Sequence, residues 1–199
     1  MFTNNYIKLQ KARFLADNYQ DYTTFTNIAG SSINGYIAYS FLSDLGYWMT
    51  QANCKAIVAT ETNTFAVGNI GYAGLYFGGG STPASKSDYK LESPITSGLT
   101  ITEPSSIAWA DDGNGKYEAI ASFNVRNTTD ADINIYEIGL FTPVNNSAVS
   151  STSKIHATSQ TIYYVLMERT VLTEPITIPA GQAKVVTYKI AFNQTLNVE

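Results

Sequence analysis

Between Lys116 and Arg126 apolar and polar positions alternate. Tyr117, Ala119, Ala121, Phe123 and Val125 share one parity, while Lys116, Glu118, Ser122, Asn124 and Arg126 share the other. A period of two marks a strand with one buried and one wetted face. The chain closes on the same pattern, with Val186, Tyr188, Ile190 and Phe192 facing one way. In the run Asp132 to Thr142, Ile133 and Ile135 keep one parity but Tyr136, Ile138 and Leu140 take the other. An extra residue in a strand produces such a slip, which predicts a β-bulge near Tyr136 and Glu137. Thr161 to Val171 is another charge-poor run that reads as a strand of an antiparallel core. It contains Glu168 and Arg169, which need partners if buried; a structural ion pair or a contact to a neighbouring subunit meets that need.

Turn chemistry divides these runs. Asp111-Asp112-Gly113-Asn114-Gly115 accepts the positive φ angles of a tight hairpin. Ile178-Pro179-Ala180-Gly181-Gln182 predicts a turn joining the last two strands, with Gly at a left-handed position. Gly71 to Phe77 reads as a strand running into a flexible turn at Gly78-Gly79-Gly80. Residues 84–115 look like polar connections with short strands at Leu99 to Thr102 and Ile107 to Ala110. Residues 21–70 mix short apolar runs, at 35–42 and 55–62, with Gly, Asn, Ser and Thr, which suits strands joined by ordered loops. The expected fold is mainly β: an antiparallel β-sandwich or jelly-roll-like domain over residues 31–199, with a short N-terminal helix or arm over residues 1–30. Residues 3–20 are the helix candidate, with Thr3 or Asn4 as cap and Tyr6, Leu9, Arg13 and Ala16 on one face. That stripe is thin, as in a surface helix or an arm that orders on contact with a neighbour, so residues 1–30 form a candidate attachment segment with Tyr6, Leu9 and Arg13 as its contacts.

Composition narrows the classes of function. Only 14% of residues are charged, the net charge is −4, and the 12 Lys and Arg are scattered. That distribution argues against nucleic acid as a partner. No run approaches the roughly 18 to 20 apolar residues of a membrane helix, so no membrane association is expected. Cys54 is the single cysteine, which excludes an intrachain disulfide and a disulfide-dense scaffold. Low charge with 14 Tyr suits a surface covered by partners.

Residues that carry chemistry are sparse. His156 has no second His or Cys nearby, so local spacing assembles neither a zinc site nor a Ser-His-acid relay. Gly78 to Thr82 lacks the Lys-Ser or Lys-Thr pair that opens the helix of a phosphate loop. Asp111 to Gly115 resembles part of a calcium loop but lacks the closing bidentate acid. Asn127-Thr128-Thr129, Asn145-Asn146-Ser147 and Asn193-Gln194-Thr195 match the glycosylation triplet, as an Asn- and Thr-rich chain does by chance. No catalytic residue, cofactor or metal is expected. Trp48, Trp109, Tyr163 and Tyr164 are candidate interaction residues, through core packing, intersubunit contact or stacking on the sugar rings of a host-surface glycan.

Three segments in order carry a family likeness. Gly78 to Ile95 (GGGSTPASKSDYKLESPI), Glu137 to Phe141 (EIGLF), and the closing set Arg169 to Leu172, Pro175, Ile178 to Gly181 and Val186 to Ile190 resemble tailed-bacteriophage virion structural proteins. The resemblance covers roughly residues 70–193. It implies a non-enzymatic virion component with a β-sandwich domain, made in the host cytoplasm. Such a component forms a homo-oligomer, a trimer or higher cyclic assembly, and docks onto other capsid or tail proteins in a decoration, fibre, collar or tail. A carbohydrate- or receptor-binding β-sandwich is the alternative.

Overall fold

Alternation at 116–126 becomes a strand because one parity finds an apolar partner sheet. Phe123 and Val125 are buried while Asn124 and Arg126 are exposed. The computed structural model describes residues 1–8, 22–36, 62–65, 74–111, 116–145 and 160–193. Among the described residues nine strands follow in chain order: β1 (Tyr22–Thr26), β2 (Ser32–Tyr36), β3 (Thr62–Phe65), β4 (Gly74–Gly78), β5 (Leu99–Asp111), β6 (Lys116–Asn127), β7 (Ile133–Asn145), β8 (Gln160–Ile178) and β9 (Ala183–Asn193). They form two antiparallel sheets. One is six-stranded, in the order β1-β2-β7-β8-β3 with β4 also on β7; the other is three-stranded, in the order β5-β6-β9. The architecture is β-sandwich-like, as the alternation predicts.

The main core lies between the sheets. Leu75 and Phe77 of β4, Ile135 and Ile138 of β7 and Ile178 of β8 meet Phe123 and Val125 of β6 and Val186 and Tyr188 of β9. Each fully buried aliphatic side chain there contributes roughly 1.5–3 kcal/mol relative to an exposed one. A second cluster of Phe25, Ile33, Val165 and Met167 gathers β1, β2 and β8.

The parity slip in β7 has the expected location. Pairing with β8 shifts between Ile135 and Glu137, and two steps along β7 span five along β8, from Ile176 to Val171. The larger surplus therefore lies on β8, at Leu172 to Pro175, where no periodicity announces it. A second shift, between Leu140 and Phe141, leaves Met167 as an extra residue of β8.

Several expectations need correction. The two short strands at 99–102 and 107–110 are one strand, β5, whose pairing with β6 shifts around Pro104. A proline has no N–H for the ladder, so the strand bends there without ending. The turn at Pro179 to Gln182 does exist: Gln182 N–H donates to the Pro179 carbonyl at 3.0 Å, and Gly181 has φ +67°. It does not make a hairpin, because β8 and β9 lie in different sheets. With Ala180 at negative φ the turn is of type II, whose twist splays flanking strands and so suits a corner between sheets.

A second corner, from β6 to β7, meets the first at Asn127. Its buried Nδ2 donates to the carbonyls of Ala131 (2.7 Å) and Ile178 (3.0 Å), and its Oδ1 accepts from the Thr129 amide (2.8 Å) and hydroxyl (2.7 Å). One side chain thus joins two crossovers. The same burial makes the Asn127 triplet a structural feature, since its amide nitrogen has no open approach.

At the N-terminus the described helix is one turn over residues 4–8, and residues 9–21 lie outside the described residues. Thr3 does not cap it with its hydroxyl, which instead donates to the Leu166 carbonyl at 2.6 Å. Residues 1–3 run along β8, with Thr3 N–H on the Met167 carbonyl and Arg169 N–H on the Met1 carbonyl. Asn5 extends the join, accepting from Thr26 N–H and donating to the Thr26 carbonyl. The opening segment is therefore fastened to the six-stranded sheet of its own chain.

Candidate functional site

β7 and β8 bury charged side chains on both faces of the six-stranded sheet: Glu137 with Arg169 on the outer face and Glu168 on the inner one. On the outer face, Glu137 is 0% exposed. Its Oε1 accepts from the amides of Ser93 (2.8 Å) and Gly80 (3.2 Å), and its Oε2 accepts from the Glu92 amide (3.1 Å) and Arg169 Nε (2.8 Å). Arg169 reaches β7 from the neighbouring strand because it pairs in register with Gly139. Its Nη1 donates to Asp88 Oδ2 at 2.9 Å, and its Nη2 stands 3.6 Å from Glu92 Oε2. Burial opposes the Arg169 charge, but hydrogen bonds to Asp88 and Glu137 overcome it and hold the guanidinium protonated beyond its ordinary range.

These bonds fasten residues 79–95 as a strap across the sheet. Gly79 N–H donates to the Ser93 carbonyl and Ile95 N–H to the Phe77 carbonyl, so the strap also lines the outer edge of β4. Under it, Leu91 packs with Tyr76, Phe141 and Leu166. Glycines make room: a Cβ on Gly139 would stand 2.8 Å from Leu91 Cδ2, and one on Gly80 would stand 2.7 Å from Glu137 Oε1. The run Gly78 to Gly80, expected as a flexible turn, is an ordered approach of backbone to a buried carboxylate, which occupies the Gly80 amide that a phosphate would need. At the strap's rim, hydrogen bonds from Thr82 hold the Glu92 carboxyl below its ordinary range.

On the inner face, Glu168 Oε2 accepts from Tyr188 Oη at 2.5 Å, and its Oε1 accepts from Thr170 Oγ1 (2.7 Å) and from the Met1 ammonium. Burial, then the adjacent Glu168 charge, pushes the Tyr188 hydroxyl well above its ordinary 10.0. The need for partners read at Glu168 and Arg169 is thus met inside the chain. Among the described residues no group of three His, Cys, Asp or Glu side chains is placed to hold a metal, and no helix is long and apolar enough to cross a membrane.

Four of the candidate interaction residues lie among the described residues, in the opening helical turn, β5 and β8. Tyr6 stacks on Phe2 at 4.1 Å and 16°, half-buried against the Phe25 cluster. Trp109 lies in β5 opposite Ala119. Tyr163 and Tyr164 lie in β8 opposite Val144 and Pro143. Leu9, Arg13, Trp48, Cys54 and His156 fall outside the described residues, as do residues 112–115 of the hairpin turn. Sequence reasoning missed Glu137 as the centre of a site. The available signal was an acid inside the apolar run Ile135 to Phe141 with an arginine in the next charge-poor run.

Comparison with protein-family models, with curated proteins and with solved structures finds no match to this chain.

Proposed function

We propose that the chain is a non-enzymatic structural protein of a tailed-bacteriophage particle, acting by self-association and by docking onto capsid or tail neighbours. The observation that carries this reading is the use made of its ionisable side chains. Glu137, Arg169, Asp88 and Glu92 fasten a strap, and Glu168 with Tyr188 ties the two sheets. Acids and bases spent on hydrogen bonds within a packed scaffold serve rigidity, not proton transfer to a substrate. The segments that carry the family likeness also meet in space: Gly78 to Ile95 is the strap, and Glu137 and Arg169 are its fasteners. A rigid, charge-poor sandwich suits a repeated building block, in which large surfaces approach without strong repulsion.

Light scattering coupled to size exclusion, together with binding to particles that lack the protein, tests the reading. An oligomer that restores occupancy on such particles is expected. A monomer that does not bind them overturns it.

A further inference from the structure

Among the described residues, the long sheet edges other than that of β9 are covered or broken. The outer edge of β4 is lined by residues 93–95. Beyond β7, β8 is flanked by β3 at Gln160 to Tyr163 and by residues 1–3 at Met167 to Arg169, and its remaining stretch carries Pro175. β5 carries Pro104 and two register shifts. β9 differs: it pairs with β6 at every position from Lys116↔Asn193 to Arg126↔Ala183 without a shift, contains no proline, and has no described strand on its other side. Its 11 residues span roughly 37 Å of regular edge at about 3.4 Å per residue. An exposed edge of that length is a template for another chain.

Lysines on an edge strand ordinarily discourage pairing, and β9 has Lys184 and Lys189. Both are drawn away from the edge. Lys189 Nζ lies 3.8 Å from Glu118 Oε2 on β6, and Lys184 Nζ donates to the Thr177 carbonyl on β8 at 3.4 Å.

We infer that β9 is the self-association surface, pairing antiparallel with β9 of a second copy about a two-fold axis at Thr187. This rests on the self-association proposed above. A ring of three or more would need a second, different edge to receive β9, and the other long edges among the described residues are occupied or interrupted. Two copies of one edge supply a closed two-fold contact instead. Pleat requires the axis to fall on a residue and not between two, and charge is compatible with Thr187, near the middle of the strand. Centred on Thr187, Val185 faces the partner's Lys189, Lys184 faces the partner's Ile190, and Val186 faces the partner's Tyr188. Parity is kept, so Val186 and Tyr188 stay on the core side in both copies and no like charges oppose. A slip of one residue would set Lys184 against the partner's Lys189 and turn the apolar face outward.

Charge substitution on the intact chain tests this, read by sedimentation velocity over a dilution series. Val185 is 59% exposed, so neither Val185→Lys nor Val185→Glu disturbs the core, and thermal melts of both should match the parent chain. Val185→Lys sets two like-charge pairs across the dimer and should weaken it roughly tenfold. Val185→Glu faces the partner's Lys189 and should retain or tighten it. If both variants dimerise as the parent does, the β9 pairing centred on Thr187 is wrong while the structural role stands. A chain that stays monomeric at all concentrations overturns the β9 assignment, and one that also fails to bind particles lacking it overturns both.

Discussion

Replacing Glu137 by Gln keeps the shape of the side chain and removes its charge. Four donors converge on the carboxylate: the amides of Gly80, Glu92 and Ser93 and Arg169 Nε. A Gln amide group would turn one acceptor oxygen into a donor and set it against two of those N–H groups, whichever way it points. Arg169 would keep Asp88 at 2.9 Å but lose its fully buried partner. Breaking a buried ion pair from one side costs about 3–5 kcal/mol, and the bond that Arg169 retains puts the expectation near the lower end, about 3 kcal/mol. At about 2–4 °C per kcal/mol for a chain of this size, the melting temperature should fall by roughly 6–12 °C. Urea denaturation measures the loss, and hydrogen exchange locates it at Gly80, Glu92 and Ser93. A loss below about 1 kcal/mol with those amides still protected would refute the assignment of Glu137 as the strap's fastener.

Gly139→Ala should cost about 1–3 kcal/mol by overpacking, because the new methyl would meet Leu91, Phe141 and Leu166 at 2.8–3.0 Å; equilibrium unfolding measures it. The raised pKa of Tyr188 stabilises the fold below the unfolded tyrosine value and is lost as pH rises through the folded one. Denaturant midpoints should therefore fall above about pH 10, and Tyr188→Phe should flatten that alkaline limb. The lowered pKa of Glu92 acts oppositely: its contribution is full above the unfolded value near 4.5 and fades as pH falls further. Protection of the Thr82 amide, which donates to Glu92 at 2.8 Å, taken relative to the intrinsic exchange rate at each pH, should fall on acidification and show no such fall in Glu92→Gln. Expressed in a glycosylating host, the chain should carry no glycan at Asn127, whose Nδ2 is already bonded to two carbonyls; peptide mass spectrometry reads this directly.

Local periodicity was enough to place β6, β7 and β9, because a side chain's parity depends only on its neighbours along the strand. The slip near Tyr136 was readable for the same reason, as was the left-handed Gly181. Glu168 and Arg169 could be recognised as needing partners from their apolar setting alone. Which partners they have depends on register and on chain returning from far away: Glu137 is 32 positions from Arg169, and Asp88 is 81. Nothing local distinguishes residues 79–95 from a solvated loop, since their order comes from a carboxylate supplied by another strand. Likewise the turn at Pro179 to Gln182 was legible as a turn but not as a corner, because the sheet that β9 joins is decided by pairing with β6 and not by the turn residues themselves. The amino-acid pattern thus determines which segments become strands and which faces are apolar; the closing of the sandwich decides which acids meet which bases and which strand edge has no described neighbour.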